Sequence, residues 1–348
     1  MSKFKIGVIG AGGIVETNHL PAIAASGKAE IAWIYDKNPS RADLVAKMYG
    51  LSVLDEAQLA PALGGVDCCL LATPYGVRKP YIDACRNVGI GLVIEKPFAF
   101  SRQEHQEYCA GFKEWAIAIN LQRRYYLSVS TLHRIIRTAV FGRLVRVRFN
   151  QGHFSLKGGS GYLSDVRLSG GGVIAESAIH SLDIILWITG ASQVTVTGMR
   201  SLHTGRLDYD SEFDSSIVTP DGPIPVHCAV STLRNLDNGL ELEFEQATVC
   251  CDLSPDAPIL VKQRKGPGGG HTDNRDAGHT GGQDFYLAPT LQKEELLLSA
   301  TRINEAFLVF WQQFLEGMAG HTAGRTSARE SLLTSVWIEE IYKSMNVA

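Results

Sequence analysis

Lys96 stands between Glu95 and Pro97 at the end of the apolar run Gly91-Leu92-Val93-Ile94. Proline disfavours the α region for the residue before it, which holds Lys96 extended at the strand's end. An ammonium there can hydrogen-bond a substrate oxygen and stabilise negative charge as it develops. A surface lysine paired to a neighbouring acid is the plainer alternative. A second constellation, Glu176, His180 and Asp183, follows the triple glycine Gly170-Gly171-Gly172. On a helix Glu176 and His180 are i and i+4 and share a face, and Asp183, three residues on, extends that polar stripe. An imidazole, with an unperturbed pKa of about 6.5, is suited to take a proton from an alcohol during hydride loss. A carboxylate beside it can orient the ring or raise its basicity. Spacing alone leaves a hydrogen-bonded core histidine as the commoner outcome.

The elements that must position these groups begin at the N-terminus. Phe4 to Ile9 reads as a short buried strand that breaks into Gly10-Ala11-Gly12-Gly13-Ile14-Val15. A helical pattern follows to about Ser26-Gly27, and a second apolar run, Ile31 to Tyr35, ends on Asp36. Strand, glycine turn, helix, strand and acid is the order of a dinucleotide-binding βαβ unit. Gly10 permits the tight turn, and Gly12 lets the backbone approach a pyrophosphate with no Cβ in the way. Amides opening the helix then point at the phosphates. Asp36 can accept from both ribose hydroxyls and would repel a 2′-phosphate, which favours NAD over NADP; Lys37 and Arg41 nearby keep NADP open. Val15 replaces the third glycine of the fingerprint. That position concerns packing, so the helix is expected slightly further from the strand.

After Asp36 the pattern predicts a helix over 39–49, a buried strand over 66–72 ending at Thr73-Pro74, a helix from about 77 to 87, and the strand 91–94. Ser101-Arg102-Gln103-Glu104 is a capping box that opens another helix, and the strand 115–119 closes a first domain near Asn120. Alternating strands and helices mean a parallel sheet with right-handed crossovers. Ligands of such sheets sit outside the carboxyl ends of the strands. That rule places the loop Gly10 to Val15 (with Gly13 and Ile14), Asp36, Thr73-Pro74 and Glu95-Lys96-Pro97 on one lip. Beyond a helix over 127–138 the texture changes to period-two runs at 144–149, 194–199, 224–230, 240–245, 248–253 and 259–262. They predict an open, mainly antiparallel sheet covered on one face by helices; a helix over 172–189 interrupts it, and two helices near 301–317 and 328–345 follow.

Composition narrows the classes. The chain has 348 residues, 45% apolar and 20% charged, with a net charge of −3, so no general attraction to nucleic acid or anionic membranes is expected. No apolar run of about eighteen residues predicts a bilayer span, and the first apolar stretch is already a strand rather than a signal peptide. The seven cysteines lack metal-ligand spacing and read as buried, reduced thiols of a cytoplasmic protein; no metal is expected. The glycine-rich segment Gly266 to Gly282, with His271 and His279, reads as a surface or active-site loop. The acidic run Asp208 to Asp214 reads as a solvated hairpin, with reception of a cationic, aminoglycoside-like substrate as the alternative.

Several motifs occur in a fixed order: the glycine loop followed by Asn18-His19-Leu20-Pro21, then Ala72-Thr73-Pro74, Glu95-Lys96-Pro97, Asn120 with Arg123-Arg124-Tyr125, and the triple-glycine helix with His180-Ser181-Leu182-Asp183. The ordered set resembles the glucose-fructose oxidoreductase, inositol dehydrogenase and rhizopine-catabolism (Gfo/Idh/MocA) family over the whole chain. The resemblance implies an α/β protein with an N-terminal Rossmann domain (1–120) and a C-terminal α+β domain (121–348) whose open sheet often forms oligomer interfaces, hence a homo-oligomer (dimer or tetramer). It implies NAD(P)-dependent chemistry at a sugar or cyclitol carbon. Lys96 matches the family's catalytic lysine and His180 its catalytic histidine. Glu95, Thr73 and Pro74 would lie against the nicotinamide ribose, and Asn120 and Arg124 would approach the substrate. Glu176 departs from the usual aspartate, and Arg78 stands where many members have histidine; both suggest a substrate outside the commonest group. The expected function is oxidation of a secondary alcohol of a sugar, amino sugar or cyclitol by NAD, with Lys96, Glu176 and His180 at the reacting carbon. Two alternatives remain on the same scaffold. A glycoside hydrolase using NAD transiently would accumulate no NADH, and a nucleotide-sensing regulator would bind NAD without turning over any polyol.

Overall fold

The computed structural model describes residues 2–155, 161–264, 284–288 and 291–345. The glycine-rich segment 266–282, with His271 and His279, lies outside them.

Two sheets organise the chain. The first is parallel, in the order β2-β1-β3-β4-β5. Its strands are β1 (Phe4–Ile9), β2 (Ala29–Tyr35), β3 (Cys68–Leu71), β4 (Gly91–Ile94) and β5 (Ile117–Ile119), and its crossovers carry α1 (Leu20–Ala25), α2 (Pro39–Tyr49), α3 (Glu56–Leu63), α4 (Lys79–Val88) and α5 (Arg102–Cys109). Strands β3 and β4 are buried along their whole length, as expected of strands covered on both faces. Sequence periodicity overlooked α3, although its signal was present: Asp55 and Gln58 close a reciprocal capping box. The box expected at Ser101 closes only by half. Ser101 Oγ accepts from the Glu104 amide at 3.1 Å, but the Glu104 carboxylate accepts from the Phe100 amide, 2.8 Å, and the Tyr108 hydroxyl, 2.8 Å.

The second sheet holds eight strands: β6 (Leu144–Gly152), β7 (Gln193–Thr204), β8 (Leu207–Thr219), β9 (Gly222–Ser231), β10 (Gly239–Phe244), β11 (Ala247–Cys251), β12 (Ile259–Gln263) and β13 (Asp284–Leu287). Their order is β13-β12-β11-β10-β6-β9-β8-β7, antiparallel throughout except where β6 pairs with β9. The accompanying helices are α6 (Leu127–Thr138), α7 (Val166–Ser169), α8 (Ile179–Thr189), α9 (Lys293–Leu297), α10 (Ile303–Gly320) and α11 (Leu332–Ser344).

Strand β8 corrects the reading of the acidic run 208–214, which is no solvated hairpin but the inside of a strand paired on both edges. Its acids are engaged locally: Asp210 with Arg234, Asp214 with His227, Glu212 with Arg200. Asp208 is fully buried. Its carboxylate accepts from the amides of Gly172 and Ile174, both at 3.0 Å, and from the Tyr342 hydroxyl at 2.8 Å. Burial pushes its carboxyl up while these hydrogen bonds pull it down, leaving it above the usual range. Gly172 is required there, because a Cβ would lie 2.0 Å from the Asp208 carbonyl oxygen.

The helical run Val166–Thr189, 24 residues, has the length and composition to cross a membrane, but 78% of its apolar window is buried inside the protein, as in a core helix. All seven cysteines are free thiols. The segment after residue 300 bridges both sheets: α11 stays with the second, where Trp337 and Tyr342 donate to Ser215 and Asp208 of β8, while the stretch before it reaches the first. In that stretch Ile119 N donates to Thr326 O at 3.0 Å and Met318 packs beside Gly91.

Candidate active site

A cleft of about 690 Å³ runs along the carboxyl ends of the first sheet and is closed on its far side by the π-helical turn and helix that precede and form α8. Gly10, Gly12, Gly13 and Ile14 line one end with Asp36 and Lys37; Thr73, Pro74, Glu95, Lys96 and Asn120 line the middle; Glu176 and His180 face them from the second domain. Residues about 170 positions apart in sequence therefore meet in one space, as the strand-end rule requires.

The glycine turn is fixed by its neighbours. Gly10 has φ +102°, and a Cβ there would meet the Ala72 carbonyl oxygen at 2.5 Å, whereas the Cβ positions of Gly12 and Gly13 face open space. Asp36 holds the loop by accepting from Ala11 N at 2.7 Å and from Asn38 N at 2.8 Å. Arg41 Nε donates to Ala11 O at 2.7 Å and its terminal nitrogen pairs with Glu16. Val15 does not line the cleft: its side chain is fully buried in the core and its amide donates to Gly12 O at 3.0 Å. The helix opens with a π-helical turn, Val15–His19, in which the valine is buried.

Lys96 Nζ donates to the Glu176 carbonyl at 2.8 Å and lies 3.2 Å from its carboxylate. Glu176 belongs to the second π-helical turn, Ile174–Ala178, a geometry often found at functional sites. Two of the three N–H directions of Lys96 are thus used, and one remains for a ligand. His180 is buried and its Nδ1 lacks a partner. Burial, then the charges of Arg123 and Lys96, hold the imidazole well below its ordinary value, so it is neutral near pH 7. A neutral ring beside an ammonium is the pairing that base chemistry needs.

Two residues expected to touch substrate part company. Asn120 lines the cleft, its Nδ2 donating to Glu95 Oε1 at 2.6 Å and its Oδ1 left without a partner. Arg124 does not: its guanidinium is fully buried, donating to both Asp183 oxygens at 2.8 and 2.6 Å and to Arg325 O at 2.7 Å. Asp183, although on the same regular helix as His180, therefore leaves the expected Glu176–His180 stripe to pair with arginine, because a carboxylate buried this deeply needs a charged, hydrogen-bonding partner.

Arg78 is the residue whose role the sequence concealed. Its guanidinium is buried and donates to Glu95 O at 2.8 Å, Thr73 O at 2.9 Å and Pro97 O, stapling two neighbouring strand ends. Burial pushes it down to about 10, so it stays charged. Gln122, Ser169 and Tyr162 also line the cleft; none carried a local signal. Buried polar atoms without partners gather here, on Thr73 Oγ1, Asn120 Oδ1, Gln122 Oε1, Ser169 Oγ and His180 Nδ1. Orphans of this kind call for a ligand. The open glycine turn, Asp36 and these atoms fit a dinucleotide with a polar small molecule. Among the described residues no group of three or more His, Cys, Asp or Glu could hold a metal ion. A second concavity, about 700 Å³ on the outer face of the larger sheet, includes Arg146, Arg148, Asp214 and His227, all engaged with charges on neighbouring strands.

Such a cleft defines a two-domain dinucleotide-binding protein, and comparison with known proteins agrees. Residues 4–116 match the Gfo/Idh/MocA oxidoreductase family with its NAD-binding Rossmann fold, and residues 129–250 match that family's C-terminal domain. The chain belongs to the Gfo/Idh/MocA family. It is 26% identical over 193 residues to the rhizopine catabolism protein MocA of Rhizobium meliloti, covering 55% of this chain and 58% of that protein. Against the D-glucoside 3-dehydrogenase of Escherichia coli (strain K12) identity is 22% over 192 residues, covering 54% and 55%. The chain thus spans a little over half the length of these relatives. The aldose-aldose oxidoreductase of Caulobacter crescentus, solved with glycerol, superposes with a TM-score of 0.81 at 16% identity, covering 99% of this chain and 98% of that one. Levoglucosan dehydrogenase, solved with NADH and levoglucosan, gives 0.79 at 16% identity, with 99% and 97% covered. Both share the fold.

Proposed function

We propose that the protein transfers a hydride between NAD and a secondary alcohol or ketone of a sugar, amino sugar or cyclitol. The observation that carries this reading is the meeting of Lys96 and His180, from different domains, in the cleft that also holds the glycine turn and Asp36. Bound NAD supplies the hydride acceptor. Its phosphates would lie against Gly12 and Gly13, its adenosine ribose against Asp36, and its nicotinamide ribose near Thr73, Pro74 and Glu95. Lys96 hydrogen-bonds the substrate oxygen and His180 takes the hydroxyl proton as the carbonyl forms; in the reverse direction His180 returns it. Glu176 anchors the ammonium. Asn120 is the substrate-side residue that remains, since Arg124 is engaged elsewhere.

NAD is favoured over NADP because Asp36 carries a negative charge where a 2′-phosphate would sit, and Arg41 is already tied to Ala11 and Glu16. Relatives named D-glucoside 3-dehydrogenase and inositol 2-dehydrogenase support a polyol substrate, and the free thiols support a reducing compartment. The test is incubation with NAD and a panel of sugars, amino sugars and cyclitols, read at the NADH absorbance, for the wild type, Lys96→Ala and His180→Ala. The reading expects NADH from at least one polyol and a severe loss in both variants that still bind NAD. Equal turnover in all three proteins would remove the assignment.

A further inference from the structure

Behind Glu95 lies a buried chain of hydrogen bonds whose inner members, His19 and Trp311, have no part in the proposed chemistry. His19 is fully buried at the end of the first π-helical turn. The indole Nε1–H of Trp311, on α10, donates to His19 Nδ1 at 3.0 Å. His19 Nε2 lies 2.8 Å from Glu95 Oε1, and the same oxygen accepts from Asn120 Nδ2 at 2.6 Å. The second Glu95 oxygen accepts from the Lys96 amide at 3.2 Å. Phe307 presses on the His19 ring edge-on, with centroids 4.9 Å apart.

An indole nitrogen can only donate. Nδ1 of His19 therefore carries no proton, the ring is not an imidazolium, and its single N–H is on Nε2, aimed at Glu95. The contact is a hydrogen bond with a neutral donor rather than an ion pair. Burial pushes the Glu95 carboxyl up, and the hydrogen bonds from His19 and Asn120 and the charge of Lys96 pull it down. Three donors, from His19, Asn120 and the Lys96 amide, thus hold the carboxylate.

We propose that His19 is a positioning residue, with Trp311 dictating which of its nitrogens holds the proton, so that α10 from the far end of the chain sets the orientation of Glu95 at the cofactor cleft. The proposal rests on the reading of the cleft as an NAD site. Without the indole, His19 is free to adopt the other tautomer, which turns a lone pair toward a carboxylate, or to take a second proton. Either change alters the charge and geometry beside Lys96. Docking of α10 against the first domain and assembly of the cleft become one event.

Glutamine discriminates a positioning role from mere filling, because its amide oxygen can accept from Trp311 while its amide nitrogen donates to Glu95. Leucine fills similar space and does neither. Two measurements on the full chain test the idea. The first is nitrogen-15 histidine NMR of the wild type at neutral pH, assigned with His19→Gln; it is expected to show an unprotonated Nδ1 and protonated Nε2. The second is NADH fluorescence titration, in which His19→Gln is expected within threefold of wild type and His19→Leu and Trp311→Phe at least tenfold weaker. A ring protonated on Nδ1, His19→Gln as weak as His19→Leu, or His19→Leu binding like the wild type would each overturn the proposal. If the wild type bound no NADH, the cofactor reading would fail instead, while the NMR result would still decide the tautomer.

Discussion

Lys96 Nζ reaches both the main-chain oxygen of Glu176, at 2.8 Å, and its carboxylate, at 3.2 Å. Glu176 thus holds the ammonium across the cleft. A glutamine here keeps the carbonyl contact and removes the charge. For Glu176→Gln, which keeps an acceptor but loses the opposite charge, kcat/KM on a polyol substrate is expected to fall up to about fivefold, the worth of a partly exposed ion pair. Glu176→Asp, which retains the charge at shorter reach, is expected to fall between. Steady-state kinetics on a turned-over polyol checks both, and a glutamine variant as fast as wild type would show that the contact is idle.

His180 titrates below its ordinary value because of burial, then Arg123 and Lys96. The sign follows: the reactive form is the neutral ring, so lowering its value extends activity toward acid. The acid limb of kcat/KM for alcohol oxidation is expected below pH 6.5, not at it. Arg123→Met removes one of the two neighbouring cations and should move that limb toward higher pH. A pH–rate profile of both proteins decides; an unshifted limb in the variant would rule out Arg123 as a cause.

Asp36 accepts from Ala11 N and Asn38 N, and no free arginine replaces it, since Arg41 is engaged by Ala11 and Glu16. Asp36→Ala is expected to weaken NADH binding about tenfold or more, the value of a charge-assisted hydrogen bond, and to narrow the gap between NADH and NADPH. Fluorescence titration with each reduced cofactor measures it. Undiminished preference for NADH would place the discrimination elsewhere.

The Arg124–Asp183 pair is buried on both sides, with each side chain 2% exposed. Removing one partner strands a charge in the interior, which costs about 3–5 kcal/mol. Asp183→Ala should therefore lose that much stability in urea unfolding while the folded fraction keeps its NADH affinity. Unaltered stability together with a raised KM would return Arg124 to the substrate side.

The sequence alone determined the first domain's plan and much of the cleft. Period, turn residues and strand ends are local properties, so the glycine turn, Asp36, Thr73-Pro74 and Glu95-Lys96 could be placed on one lip without coordinates, and helices such as 39–49 and 127–138 were legible to the residue. The two π-helical turns were not legible, because a five-residue hydrogen-bond step leaves no distinct periodicity over so short a span. Only the tertiary structure decided who partners whom. Arg124 turned from the substrate to Asp183, Arg78 became a staple across strand ends, and the acids of 208–214 found arginines and helix amides. His19 met an indole 292 positions away. Residue types announce that a buried charge or imidazole must be satisfied; which group satisfies it depends on chain segments brought together by packing, and no local pattern encodes that.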